Sequence, residues 1–180
     1  MSDITLGRGK VQYKEIAGYT ALYFILTNKL GTNVTYSGTT GMVTDLIALS
    51  AYKYDLVTGT NIDDDSQANG DAGTKFNTIA GTITLIGHLS TDPFQFDKLQ
   101  AGQYSIVGEL RNGKAKLFSP DNPIDITSLK VLHGAGEGDL IGATMDLAGK
   151  ADKLSPYITG AVKGSPFGGL VTPSNVTVVS

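Results

Sequence analysis

The chain has 180 residues, with 14 lysines and arginines against 17 aspartates and glutamates, a net charge of −3 and no cysteine. That length suits one domain with a real core and argues against two. The acidic balance argues against the basic patch that tight nucleic-acid binding needs, and the absence of cysteine excludes disulfides, zinc–cysteine sites and a thiol nucleophile. Charged residues make up 17% of the chain and glycines number 23, so small polar residues and turns take an unusual share of the surface. Such a surface suits coverage by partners, and it equally suits a plain Thr- and Gly-rich β-protein.

Met1 to Thr5 lacks the basic and apolar regions of a signal peptide, and residues 1–18 read as an arm or edge segment. Ala21 to Leu26 is a continuous run of β-forming apolar residues, which predicts a buried strand; it is far too short to cross a bilayer. A turn-rich connection, Asn28 to Asn33, leads to a short strand at Val34–Tyr36 and a further turn to Gly41. Val43, Leu46, Ile47 and Leu49 fit a helix or a strand; strand is preferred, with a bend near Ser50. Tyr52, Tyr54 and Leu56 then face one side of a strand while Lys53 and Asp55 face the other.

Gly59 to Lys75 reads as the longest loop and carries Asp63, Asp64, Asp65 and Asp71; loops of that length inside a compact domain are functional or disordered as a rule. Phe76 to His88 resumes as a strand. Asp92-Pro93-Phe94-Gln95 predicts a helix start, with Asp92 as the cap, Pro93 in the first helical position and Gln95 reaching back, and Gly102 as the stop. Tyr104–Val107 is a strand, and Asn112-Gly113 predicts a hairpin with both turn residues at positive φ. Lys114–Phe118 is its return strand. Ile124–Ile126 and Leu129–Leu132 predict two more strands, Gly134 to Gly138 a flexible connection, and Asp139 to Lys150 a last long strand. Residues 159–180 are Gly- and Pro-rich and contain Val176, Val178 and Val179, which predicts a flexible arm able to add a strand to a neighbour. The chain thus divides into an N-terminal segment 1–18, a mainly β domain 19–158 and a C-terminal arm 159–180.

No motif specifies a reaction, and no enzyme is expected. His88 and His133 have no metal-ligand spacing, no Gly-x-Ser-x-Gly elbow exists, and Gly134 to Gly138 lacks the Lys-Ser/Thr ending of a phosphate loop. Asp65 to Phe76 has glycine at the sixth place of a calcium loop, but Phe76 stands where a bidentate glutamate is needed. A solvated or interface acidic loop is the better reading, and no cofactor or metal is expected.

The ordered set Gly7-Arg8, Gly18-x-x-Ala21-x-Tyr23-Phe24, Tyr52-Lys53-Tyr54-Asp55-Leu56, Asn69-Gly70 to Phe76, Ile83-Thr84-Leu85, Asn112-Gly113 and Gly138-Asp139-Leu140-x-Gly142 resembles the tail tube (major tail) proteins of long-tailed bacteriophages. The resemblance covers about residues 7–150 and lies in order and spacing, since each piece alone is weak. It implies a β-sandwich or partly closed β-barrel with one short flanking α-helix and extended arms. It also implies stacked rings, usually hexameric, whose joined strands line a channel for DNA. The implied partners are other copies of the chain, other tail proteins and DNA in transit, with no membrane, in a virion assembled in the host cytoplasm. On that basis the Tyr52–Val57 and Phe76–His88 strands with the acidic loop between them form an assembly hairpin. Its expected residues are Tyr52, Tyr54, Leu56, Asp63, Asp64, Asp65, Asp71 and Phe76, with residues 1–18 and the Val176, Val178 and Val179 arm between rings. A capsid decoration protein and a carbohydrate-binding β-sandwich are the competing expectations.

Overall fold

The computed structural model describes residues 18–47, 49–57, 59–69, 74–87, 89–134, 136 and 139–180. The fold is mainly β. The strands are β1 (Tyr19–Leu26), β2 (Val34–Tyr36), β3 (Val43–Leu46), β4 (Leu49–Asp55), β5 (Asn61–Asn69), β6 (Thr74–Ile86), β7 (Tyr104–Leu110), β8 (Ala115–Phe118), β9 (Ile124–His133), β10 (Ile141–Ala151) and β11 (Val176–Val179). The α-helices are a single turn α1 (Thr27–Leu30) and α2 (Asp92–Ala101). Nine strands form one sheet in the order β11-β4-β1-β7-β9-β10-β6-β5, with β8 paired to β7 off that path; β2 and β3 form a separate ribbon. All pairings in the main sheet are antiparallel except β11 with β4.

The sheet curls without closing into a barrel. Tyr19 on β1 donates its hydroxyl to the Ile62 carbonyl on β5 at 3.2 Å, and Lys116 on β8 pairs with Asp64 on β5. These contacts bring the far edge back towards the middle of the sheet. The curl encloses one core, built from Leu22, Phe24, Ile79, Ile83, Ile106, Phe118 and Met145 and plugged by Phe96 and Leu99 of α2. A second core lies on the opposite face of β1, β4, β7 and β8, around Tyr23, Ile25, Val43, Leu46 and Leu117. The continuous apolar run of β1 follows from this position: residues 21–25 are buried on both faces.

What covers the second core is residues 155–180. Ile158, Phe167 and Leu170 are buried in it, and the Phe167 ring meets Tyr23 edge-on at 5.3 Å. Three carboxylates anchor the covering strap. The Ser155 amide donates to Asp64 Oδ2 at 2.7 Å, the Gly164 amide to Glu109 Oε1 at 2.7 Å, and the Thr172 hydroxyl to both oxygens of Asp45 at 2.7 and 2.6 Å. The expected arm at 159–180 is therefore corrected: this segment is a layer of the domain, and Val176 is buried while β11 pairs with β4 of its own chain. Gly- and Pro-rich composition supplies the turns a covering strap needs as readily as it supplies a loose arm.

Other expectations are also revised. The acidic stretch is not a loop but strand β5, paired in register with β6 from Asn61↔Thr82 to Asn69↔Thr74. The expected bend near Ser50 is not there: β3 ends at Leu46, and Ser50 lies inside β4, which begins at Leu49. Asp92 is the first residue of α2, with Thr91 as its cap, and its carboxylate instead accepts the Leu89 amide at 2.7 Å. The β7–β8 hairpin has only Gly113 at positive φ (86°). Gly113 N donates to Leu110 O at 2.9 Å and Leu110 N to Lys114 O at 2.8 Å, the geometry of a three-residue loop with a glycine bulge, not a two-residue turn. The two short strands expected near 124–132 are one strand, β9, with a bulge at Thr127. His88 and Asp71 lie outside the described residues.

Candidate assembly surface

Four long strands, β9, β10, β6 and β5, form a block whose inner residues fill the first core and whose outer residues carry no second layer among the described residues. On the inner side stand Ile62, Ile79, Ile83, Met145, Leu147 and Ile126, all buried. Alternation then fixes the other face. Its cross-strand rows read Asn61–Thr82–Asp146–Ser128, Asp63–Ala80–Ala148–Asp125, and Asp65–Thr78–Lys150. Apart from Ala80 and Ala148 these side chains are polar, with four exposed carboxylates, Asp63, Asp65, Asp125 and Asp146, against the ammonium groups of Lys150 and of Lys130, which stands opposite Thr144.

The face is ordered by side-chain contacts between strands. The Thr82 hydroxyl donates to Asp146 Oδ1 at 2.9 Å, and Lys150 Nζ sits 5.6 Å from the centre of the Phe76 ring. Within β5 the Asn61 and Gln67 amides donate to Asp63 Oδ2 and Asp65 Oδ2, each at 3.3 Å. No opposing ammonium is bonded to Asp63 or Asp65 among the described residues, so both carboxylates keep most of their charge directed at solvent.

Asp64 points the other way. Its side chain is 3% exposed, and Oδ2 accepts Lys116 Nζ at 3.2 Å as well as the Ser155 amide. This aspartate ties the edge strand to the strap and is structural. The same neighbourhood acts on Tyr19, whose hydroxyl pKa is pushed up to about 12 by burial first and then by the charges of Asp63 and Asp64.

The block has two edges. β5 ends the sheet on one side. On the other, β9 meets a further strand at a single position, Tyr104↔Ile124, and α2 packs against it. From Asp125 to Val131 no strand lies on that side among the described residues.

The expected site residues are thus divided. Tyr52, Tyr54 and Leu56 belong to β4 and its exit, far from β6 in strand order, so the expected assembly hairpin of 52–57 with 76–88 does not exist; β6 pairs with β5 and β10. Asp63 and Asp65 lie on the solvated face, Asp64 in the interior, and Phe76 beside Lys150. Val178 and Val179 are exposed on β11. Sequence reasoning missed Asp125, Asp146, Lys130 and Lys150, although each sits at an alternating position of a strand it recognised.

No family model matches the chain, and no curated protein matches it. Among solved structures, a chain of the virion of a native gene transfer agent particle is similar with a TM-score of 0.36 and 12% identity, over 59% of this chain and 89% of that chain. A TM-score of that size does not equate the two folds.

Proposed function

We propose that the chain is a virion structural protein that forms rings, stacked into the tail tube of a long-tailed phage. The observation that supports this reading is the four-strand block: an acidic face, uncovered among the described residues, bounded by two strand edges that run in opposite directions. Strands β9, β10, β6 and β5 alternate in direction, so β5 of one copy beside β9 of an identically oriented copy continues an antiparallel ladder. Such a contact is heterologous, one patch meeting a different patch, and heterologous contacts close into rings. It also satisfies edge groups that otherwise invite uncontrolled pairing.

Charge selects a register for the pairing. Placing Lys130 of β9 beside Asp63 of the next β5 matches opposite charges and keeps Asp125 away from both Asp63 and Asp65. With the acidic face turned inward, the channel repels phosphate, and DNA passes without the counterion release that makes binding tight. The sequence resemblance to tail tube proteins supports the same reading.

Negative-stain electron microscopy of concentrated protein tests it. Rings or hollow tubes are expected. Lys130→Glu should prevent them and the pair Lys130→Glu with Asp63→Lys should restore them. A protein that remains as discrete monomers or trimers at every concentration, and that is missing from virions, rules the tube out. Trimers would point to a capsid decoration role.

A further inference from the structure

At the end of the sheet opposite the β7–β8 hairpin, α2 and the strands β1, β4 and β7 enclose a groove of about 370 Å³. Its walls include Leu26, Tyr52, Tyr54, Gln95, Lys98 and Tyr104. Two of its tyrosine rings are held from below by one buried residue: the Phe24 ring meets Tyr54 at 5.2 Å and Tyr104 at 5.8 Å, both edge-on. Tyr104 is fixed further by donating its hydroxyl to the Lys98 carbonyl at 3.1 Å. The aromatic floor is therefore set before any ligand arrives, which lowers the ordering cost of binding.

The rim is polar and unspent. Among the described residues, the hydroxyls of Tyr52 and Tyr54 and the side-chain amide of Gln95 have no hydrogen-bond partner. The Lys98 ammonium has no carboxylate either, and lies 4.0 Å over the exposed Phe94 ring. Tyr52 is 41% exposed at the mouth. Tyrosine rings in the walls with mixed donors and acceptors around them match the chemistry of a sugar. A pyranose ring has an apolar C–H face for the tyrosines and a belt of hydroxyls for the rim. The volume sits at the small end of ligand sites, enough for one or two sugar rings and short for an extended peptide.

We propose that this groove binds one or two pyranose rings of a glycan, with Tyr52 and Tyr54 as stacking surfaces, Gln95 bonding ring hydroxyls, and Lys98 conferring preference for a sugar carboxylate. It uses no residue of the β5 and β9 edges, so it stands or falls separately from the tube reading.

Saturation-transfer difference NMR on the whole protein, in whatever assembly state it adopts, provides the test. The probes are methyl α-D-glucoside, D-glucuronic acid and a proline-rich peptide. Transfer to the ring protons of both sugars is expected, stronger for glucuronic acid. Tyr52→Ala should weaken it about fivefold to tenfold, the scale of one lost aromatic contact, whereas Tyr36→Ala, at a tyrosine equally exposed elsewhere, should leave it unchanged. Tyr52→Phe should retain the ring contact and most of the signal. Lys98→Met should abolish the preference for glucuronic acid. Transfer to neither sugar, transfer indifferent to Tyr52→Ala, or transfer to the peptide alone would overturn the proposal.

Discussion

The two halves of the sheet bury their strands differently. β1, β4, β7 and β8 lie between two cores, and residues 21–25 of β1 are at most 2% exposed on either face. β9, β10, β6 and β5 have one core and one solvated, acidic face. The boundary is where the strap over residues 155–180 ends. Sidedness is thus a property of what a second layer reaches, and one sheet can change from sandwich to open wall along its strand order. The strap-covered half buries both faces of its strands, and the open half buries one.

The largest effect should come from removing the strap. A chain ended before Ser155 exposes the second core and should lose cooperative thermal melting and bind a hydrophobic dye; a cooperative transition at the full-length temperature would make the strap an accessory. Phe167→Ala is the graded version and should cost about 3 kcal/mol in urea unfolding. Next comes the contact that joins the two halves. Lys116→Met leaves the carboxylate of Asp64 buried without its ion partner and should cost about 3 kcal/mol, whereas adding Asp64→Asn, which removes the charge and keeps an acceptor for the Ser155 amide, should recover most of it. Equal losses in the single and double variants would mean that packing of the lysine stem, not charge, joins the halves.

The smallest effect concerns the anchor at Asp45. Its pKa is lowered, chiefly by the hydrogen bonds from the Thr172 hydroxyl. A carboxyl lowered on folding contributes stability above its ordinary value of 3.8 and loses it as pH falls through the folded value. Acid unfolding below about pH 4 should therefore be less steep in Asp45→Asn than in the wild type, with melting near neutrality reduced only slightly. Identical acid profiles would remove Asp45 from the set of strap anchors.

The sequence makes the covered half partly legible. An unbroken apolar run from Ala21 to Leu26 means burial on both faces, and the alternation of Tyr52, Tyr54 and Leu56 survives as one face of β4 and its exit, with Tyr54 and Leu56 packed on the first core. The strap was illegible because its anchors are single apolar residues, Ile158, Phe167 and Leu170, set in turns without a period. Its last element pairs in parallel with a strand far away in sequence. In the open half, β5 was hidden by its own chemistry. Asp and Asn are poor strand formers, yet an edge strand with one solvated face tolerates them. The tyrosines of the groove are visible as residues but not as a group, since Tyr104 joins Tyr52 and Tyr54 only through the pairing of β1 with both β4 and β7.

The clamp between Asp45 and Thr172 spans 127 residues of chain. At a synthesis rate of about 5–20 residues per second, β3 waits roughly 6–25 s on the ribosome before its partner exists. During that interval the apolar residues of β1, β3 and β4 have one layer missing. The β5–β6 hairpin, by contrast, can pair as soon as it emerges, since its contacts are local. The open edge is therefore made early and the covering layer late, so a nascent chain presents a pairing edge before it has a finished core. Slowing translation should therefore lower the soluble yield more than it lowers total synthesis.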